Sequence, residues 1–319
     1  MRAEIHVPIA PTPSFFMQVQ LLAASLRRFG GTLADSPVIV TVSRDCEPYD
    51  LAAALPWSGR LGVAWRWMDA DVYERLGIYG TALMRFTYDF EAPFVVMLDA
   101  DTLVTGPLDD LLELEAAEAF GGVIADVSPT FFPTPYADGV TRGGQMFWID
   151  LYELAGLAPP PSMYEHLAWG ILDSDPGRRY CPPYFNLGML AAPASIARRI
   201  GEVVIDDMAR VDQYLETNFK CQLAVALSLV RTDTPALALA AQWNFPNNQP
   251  LADRLPEDSA DVRILHYRLR EEIHRYDELG SLDGIDALLR RRDLLPVNTL
   301  LQERIAVIRR DLEPVPADA

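Results

Sequence analysis

The sequence predicts an α/β fold: one domain on a mostly parallel central sheet with helices on both faces, followed by a helical C-terminal tail. Three observations predict it. Strand and helix signals alternate from Glu4 to Ala125, the pattern of linked β-α-β units. The run VVML from Val95 to Leu98 is continuously apolar, as in a buried strand. The 319 residues, 50% hydrophobic, can fill a large core, and no internal repeat or clear linker divides them.

The elements follow in order. Residues 4–9 form the first predicted strand. A helix follows, capped by Ser14 and reaching Arg28, with Val19, Leu22, Ala23 and Leu26 at helical spacing and Gly30 and Gly31 as its stop. Residues 37–42 and 62–68 are the next strands, and a polar stretch of helical spacing over 71–88 leads into the Val95 strand. Pro107 suits the first turn of a helix reaching about Ala117, and 121–125 is a further short strand. Between Ser128 and Pro183 prolines, glycines and aromatics are dense, the composition of long loops that shape a substrate site. Regular signals return with PYFNLGMLAAP, followed by helices over 194–214 and 219–230, a Trp-Asn-Phe loop at 243–245 and a strand over 262–267. The tail is arginine-rich, with helices over 289–293 and 300–312.

Charge and composition exclude several function classes. A net charge of −18 disfavours nucleic acid and anionic membranes as partners, so an anionic substrate needs a metal or a few arginines. No apolar run reaches the length of a transmembrane segment. The N-terminal MRAEIHVPIAPTP carries Glu4 and early prolines and does not read as a signal peptide. Cys46, Cys181 and Cys221 are odd in number and lack zinc-type spacing, which points to a reducing compartment and a cytoplasmic protein.

The chemistry concentrates where the Val95 strand ends, in VVMLDADTLVTG. Side chains alternate along a strand, so Asp99 and Asp101 are expected to point the same way. Two carboxylates at the carboxyl end of a buried strand make a hard-oxygen site for a divalent cation, and without one their mutual repulsion is costly. A cation in such a place commonly holds a phosphorylated ligand. His266, in RILHYRL at the end of another predicted strand, offers a neutral imidazole to complete the set, a mixture that suits Mn²⁺ and admits Mg²⁺. Taken alone, His266 reads as an ordinary core or surface histidine.

Together these segments resemble the GT-A fold of nucleotide-sugar glycosyltransferases, and most of all glycosyltransferase family 8, the glycogenin and bacterial galactosyltransferase group. VVMLDADTLV resembles the family's metal-binding DxD strand, and GGVIAD, ending at Asp126, its donor-sugar strand. YFNLGMLAAP resembles its Phe-Asn-x-Gly motif, FKCQLAVALS its Asp-Gln helix, AQWNFP the loop after that helix, and ILHY the strand with the third metal ligand. The matches occur in family order, which makes the set far more specific than a lone DxD. The resemblance implies a single Rossmann-like GT-A domain over 1–268 and a helical extension over 269–319. It implies Asp99, Asp101 and His266 as ligands of Mn²⁺ or Mg²⁺, and a nucleotide-sugar donor, UDP-linked, whose hexose passes with retention to an acceptor hydroxyl of unknown identity. Ala100, Asp126, Asn186, Gly188 and Gln222 would line the donor site, with Gln222 and Asp126 closest to the chemistry. Ala10 and Thr12, in the loop after the first strand, would touch the nucleotide, and Arg85 the phosphates. The family's Gly-x-x-Lys-Pro-Trp is replaced by RLREEIHRYD, where Arg268 or Arg270 would supply the phosphate-binding charge. Cys221 stands where the family has aspartate, and Leu187 where it has a small residue, so the sugar itself does not carry over.

Two rivals use the same residues differently. In a haloacid dehalogenase-type phosphatase or phosphotransferase, Asp99 is the nucleophile and Asp101 the acid/base. That chemistry also needs a later basic residue and an acidic pair. The one lysine, Lys220, has no suitable acidic motif after it, and about three strands precede the DxD. A non-catalytic GT-A-like sugar-binding protein would be free to lose its metal triad, which here is complete. An inverting enzyme would need a carboxylate base, for which Asp150, Asp173 and Asp175 are available in the loop-rich middle.

Overall fold

The computed structural model describes residues 2–125, 134–135, 141–142, 144–160, 164–165, 180–268 and 272–316. Its first strand, β1 (Ala3–Ile9), leads into α1 (Pro13–Phe29), and β2 (Val38–Val42) and β3 (Val63–Trp67) follow. The cap of α1 is Thr12, not Ser14: Pro13 takes the first helical position, where its missing N–H costs nothing, and the Thr12 hydroxyl accepts from Phe15 N at 3.4 Å.

The polar stretch forms α2 (Ala70–Met84), capped by Asp69, but it is not one continuous helix. Gly77 adopts φ 61° and ψ −160°, a conformation closed to side-chain-bearing residues, and breaks it. Beyond the break, Ile78 and Tyr79 stand 46% and 41% exposed.

β4 (Phe94–Leu98) is buried along its whole length. Phe94, Val96 and Leu98 pack into one core, which includes α1, and Val95 and Met97 into the other. Burial on both faces explains the absence of alternation, and each such side chain contributes about 1.5–3 kcal/mol. β5 (Thr102–Val104) and β6 (Phe120–Ile124) follow. The helix expected after Pro107 shrinks to a 3₁₀ turn at Asp109–Leu112 and one α turn at Glu113–Ala116, closed by Glu118 at φ 47°.

After α3 (Gly144–Leu154) come β7 (Phe185–Pro193), α4 (Ala194–Tyr214) and α5 (Lys220–Arg231). β8 (Ala236–Ala238), β9 (Phe245–Pro246) and β10 (Ile264–His266) follow. The large sheet has the order β8-β6-β7-β4-β1-β2-β3. All its pairs are parallel except those of β7, which runs antiparallel to both β4 and β6. A smaller sheet, β9-β10-β5, stands at the carboxyl end of β4.

The tail folds as α6 (Leu282–Arg290) and α7 (Pro296–Ile308), both earlier than the expected 289–293 and 300–312. Ser281 caps α6 through Gly284 N, and Pro296 opens α7 and keeps the preceding residue extended. Ile285, Leu288, Leu301 and Ile305 are fully buried in the same core as α1. Among the described residues no helix is long and apolar enough to cross a membrane.

Candidate active site

Asp99, Ala100 and Asp101 lie in the turn just beyond β4, not within the strand. Their convergence is therefore set by backbone clamps and not by strand alternation. Asp99 N donates to Gly188 O at 3.0 Å, Tyr267 N to Asp101 O at 3.0 Å, and the Thr102 hydroxyl to Asp99 O at 2.7 Å. The turn is thus pinned to β7 on one side and to the end of β10 on the other. His266, last in β10, pairs in register with Thr102. Carboxylate oxygens of Asp99 and Asp101 and a ring nitrogen of His266 lie within 4.8 Å of one another.

A chain of amides orients the imidazole. Asn244 Nδ2 donates to Asn186 Oδ1 at 3.0 Å, and Gly188 N donates to the same oxygen at 2.8 Å. The Asn244 oxygen is left facing His266 Nδ1 at 3.0 Å. With Nδ1 as the donor, the Nε2 lone pair faces the carboxylates, 3.3 Å from Asp101 Oδ1. Burial pushes the His266 pKa down to about 4, against a weaker upward pull from Asp99, so the ring is neutral at neutral pH. Gly188 is required here: a Cβ would lie 2.4 Å from His266 Nδ1. Asn244 lies within the AQWNFP segment, but its bond to histidine is invisible without the fold.

Each carboxylate also meets an arginine. The buried Arg85 gives Nη2 to Asp99 Oδ1 at 2.9 Å, Nη1 to Leu187 O at 3.1 Å and Nε to Ala82 O at 2.7 Å. It stands behind Asp99 and does not line the cavity in front. Arg275, in the stretch before α6, donates Nη1 to Asp101 Oδ2 and Nη2 to the Tyr276 hydroxyl at 2.9 Å. No sequence pattern marked it. Arg268 lines the cavity; burial lowers its pKa to about 10, which leaves it cationic at neutral pH. Arg270 lies outside the described residues.

The cavity, about 540 Å³, opens in front of these groups. Of the expected donor residues, Ala10, Ala100, Asn186 and Gln222 line it, as do both aspartates and His266. Thr12 and Gly188 do not: the first is occupied as a helix cap, and the second lies under His266. Asp126, like Asp173 and Asp175, lies outside the described residues. Asp150 is on α3 and does not reach this cavity. The buried Tyr184 donates its hydroxyl to Gln222 Oε1 at 2.7 Å. Burial raises the Tyr184 pKa well above its ordinary value, so the phenol remains a donor and fixes the Gln222 amide. Beside it, the buried Cys221 thiol is pushed up to about 12 and donates to Tyr79 O.

Two carboxylates and a neutral imidazole on a fixed backbone fit an octahedral divalent cation of the Mn²⁺ or Mg²⁺ type, with room for ligand oxygens on the cavity side. The Asn244 bond to Nδ1 supplies the outer support that such histidine ligands need.

No family model and no curated protein matches the chain. Solved structures do. The galactosyltransferase LgtC, in complex with donor and acceptor sugar analogues, is 16% identical with a TM-score of 0.54, over 99% of this chain and 98% of that one. The apo glycosyltransferase GlyE of Streptococcus pneumoniae is 13% identical with a TM-score of 0.51, over 97% of this chain and 62% of that one. The apo bifunctional glycosyltransferase WbbM is 15% identical with a TM-score of 0.50, over 95% of this chain and 51% of that one. The chain therefore spans about half the length of WbbM and nearly all of LgtC. At these identities the likeness is one of fold, and that fold is GT-A.

Proposed function

We propose that the protein is a metal-dependent glycosyltransferase, moving a hexose from a UDP-linked donor to an acceptor hydroxyl with retention at the anomeric carbon. One observation carries the reading. The Asp99-Asp101-His266 set opens onto the same cavity as Asn186 and Gln222, so one ligand can meet the cation site through its diphosphate and these amides through its sugar. The GT-A fold supports it.

In this mechanism Asp99, Asp101 and His266 would hold Mn²⁺ or Mg²⁺. A cation held there would supply the charge neutralisation that a departing diphosphate needs. Arg268 adds positive charge on the cavity wall. Asn186 and Gln222 satisfy sugar hydroxyls that would otherwise lose water without replacement. Gln222, fixed by Tyr184, stands beside the anomeric carbon, where its amide stabilises developing positive charge. The acceptor hydroxyl attacks from the leaving-group face and passes its proton to the departing phosphate oxygen, so no dedicated base is required. The three free cysteines suit a cytoplasmic setting.

The phosphatase rival fares worse against the geometry. Asp99, its nucleophile, is held by Arg85, and Lys220 pairs with Asp212 at 2.9 Å and does not line the cavity.

The test is a thermal-shift screen of nucleotide sugars with and without Mn²⁺, followed by hydrolysis of any hit. The proper donor, at about 100 times its Kd, stabilises by about 2.7 kcal/mol, only with Mn²⁺ present. It is then cleaved slowly without acceptor. Gln222→Ala lowers turnover more than donor binding. Cleavage of phosphate monoesters with no response to any nucleotide sugar would overturn the reading, and binding without turnover would leave only a sugar-binding protein.

A further inference from the structure

The two carboxylates at the head of the cavity are each paired with a guanidinium, and the two pairs are built differently. Arg85 is 1% exposed, and its three donations, to Asp99, Leu187 O and Ala82 O, leave it no freedom. Arg275 is 23% exposed and lines the cavity, and its donations go to Asp101 and the Tyr276 hydroxyl. Among the described residues its Nε is buried without a partner. An unpaired buried donor is costly and offsets part of what the pairing with Asp101 contributes.

The backbone beneath it is fixed. Ile273 and Leu279 are fully buried, and the Tyr276 ring packs edge-on against Phe15 at 5.9 Å between centroids. Any exchange therefore involves the Arg275 side chain and not the segment that carries it.

We propose that Arg275 is an internal counter-ion of the donor set, holding Asp101 until a diphosphate arrives, so that a divalent cation and a diphosphate bind as a pair. The inference rests on the metal site of the glycosyltransferase reading. A divalent cation shared by Asp99, Asp101 and His266 needs Asp101 and repels the guanidinium beside it. A cation alone therefore evicts Arg275 with nothing to receive it. A diphosphate reverses the balance: its oxygens ligate the cation and accept the displaced guanidinium, whose planar fork matches phosphate geometry. Arg85, which does not line the cavity and is held by the Ala82 and Leu187 carbonyls as well, stays on Asp99 throughout.

The test is a titration of the full-length protein with Mn²⁺, following free Mn²⁺ by electron paramagnetic resonance, with and without saturating UDP. Wild type binds Mn²⁺ alone weakly, and UDP tightens it by about tenfold or more; by reciprocity Mn²⁺ tightens UDP by the same factor. Arg275→Gln binds Mn²⁺ alone about tenfold more tightly than wild type, and its coupling to UDP falls to about threefold or less. Arg275→Lys, a smaller change that keeps the charge but not the fork, lies between the two and carries the test if the glutamine variant does not fold. Equal or weaker Mn²⁺ affinity in these variants, with coupling retained, overturns the role of Arg275 and leaves the metal site standing. No Mn²⁺ binding by wild type, with or without UDP, overturns both.

Discussion

The antiparallel pair β4–β7 has a cavity at each end, and the two are instructive together. At the carboxyl end of β4 lies the 540 Å³ cavity with the Asp-Asp-His set. At the opposite end, beside Pro93 and Pro193, lies a larger one of about 820 Å³, lined by Glu91, Glu115, Glu118, Asp233, Arg198 and Arg199. Size and charge favour the second. What it lacks is convergence. Arg198 is spent on the Phe90 carbonyl at 2.6 Å and the Phe90 ring, and among the described residues no imidazole joins the carboxylates there. In the first cavity, backbone bonds from β7 and β10 fix the turn that carries both aspartates, and a line of amides fixes the histidine. Preorganised donors make a site; charged walls do not.

The contrast can be broken most severely at Asp101. Asp101→Asn keeps the shape and removes a ligand charge, so Mn²⁺-dependent nucleotide-sugar affinity should fall by about a thousandfold, near 4 kcal/mol, while the fold survives. Calorimetric titration with and without Mn²⁺ checks this, and equal affinities in wild type and variant would sink the metal assignment.

Next in size is the pH response of the metal-free protein. His266 has a folded pKa near 4 against an ordinary 6.5. Above pH 6.5 both states are neutral there and nothing is gained or lost. As pH falls from 6.5 toward 4, the unfolded chain takes up a proton that the native state refuses, so stability declines by up to about 3 kcal/mol and then levels off. Urea unfolding at pH 7 and 4.5 should show this increment in wild type and not in His266→Asn. An unchanged increment in the variant assigns the acid sensitivity elsewhere.

A finer cut is Asn244→Ala, which spares every ligand and removes the acceptor that orients the imidazole. Mn²⁺ affinity should drop roughly 10- to 100-fold. If it does not, the amide line is packing and not support.

The smallest effect is expected at the other cavity. Glu118 sits at φ 47°, where a side chain is strained and glycine is not. Glu118→Gly should stabilise the protein by up to about 1 kcal/mol in urea and leave Mn²⁺ and nucleotide-sugar binding untouched. Any change in donor binding would mean that the two ends of β4 are not independent.

The degree to which the chain reveals itself varies with the range of the interaction. The 194–214 helix and the buried Val95 strand are legible because periodicity is a local property, set by what each residue faces. Asp99, Asp101 and His266 are legible as a chemical set, but the reason they converge is not: it lies in carbonyls and N–H groups of Gly188 and Tyr267 that any sequence would possess. Arg85 illustrates the limit. Its place before the DxD strand suggested phosphate, whereas the fold turns it behind Asp99 onto the Leu187 carbonyl. Arg275 is one arginine in a tail full of them, and only the docking of Ile273 and Leu279 singles it out. The break at Gly77 is likewise silent, since a lone glycine in a helical pattern is commonly tolerated.

The sheet order also dictates when the site can come into being. β4 and β6 are successive long-sheet strands, yet they do not pair; β7 enters between them, joining Leu98 to Met189 and Ile124 to Phe185. Until that late segment emerges from the ribosome, the Asp99 amide has no acceptor and β4 and β6 present open edges. Closing them requires contacts between residues remote in the chain, which is slow and exposes the intermediate to mispairing. A nascent chain ending before β7 is thus a species with both aspartates of the candidate site made and the site itself not yet assembled.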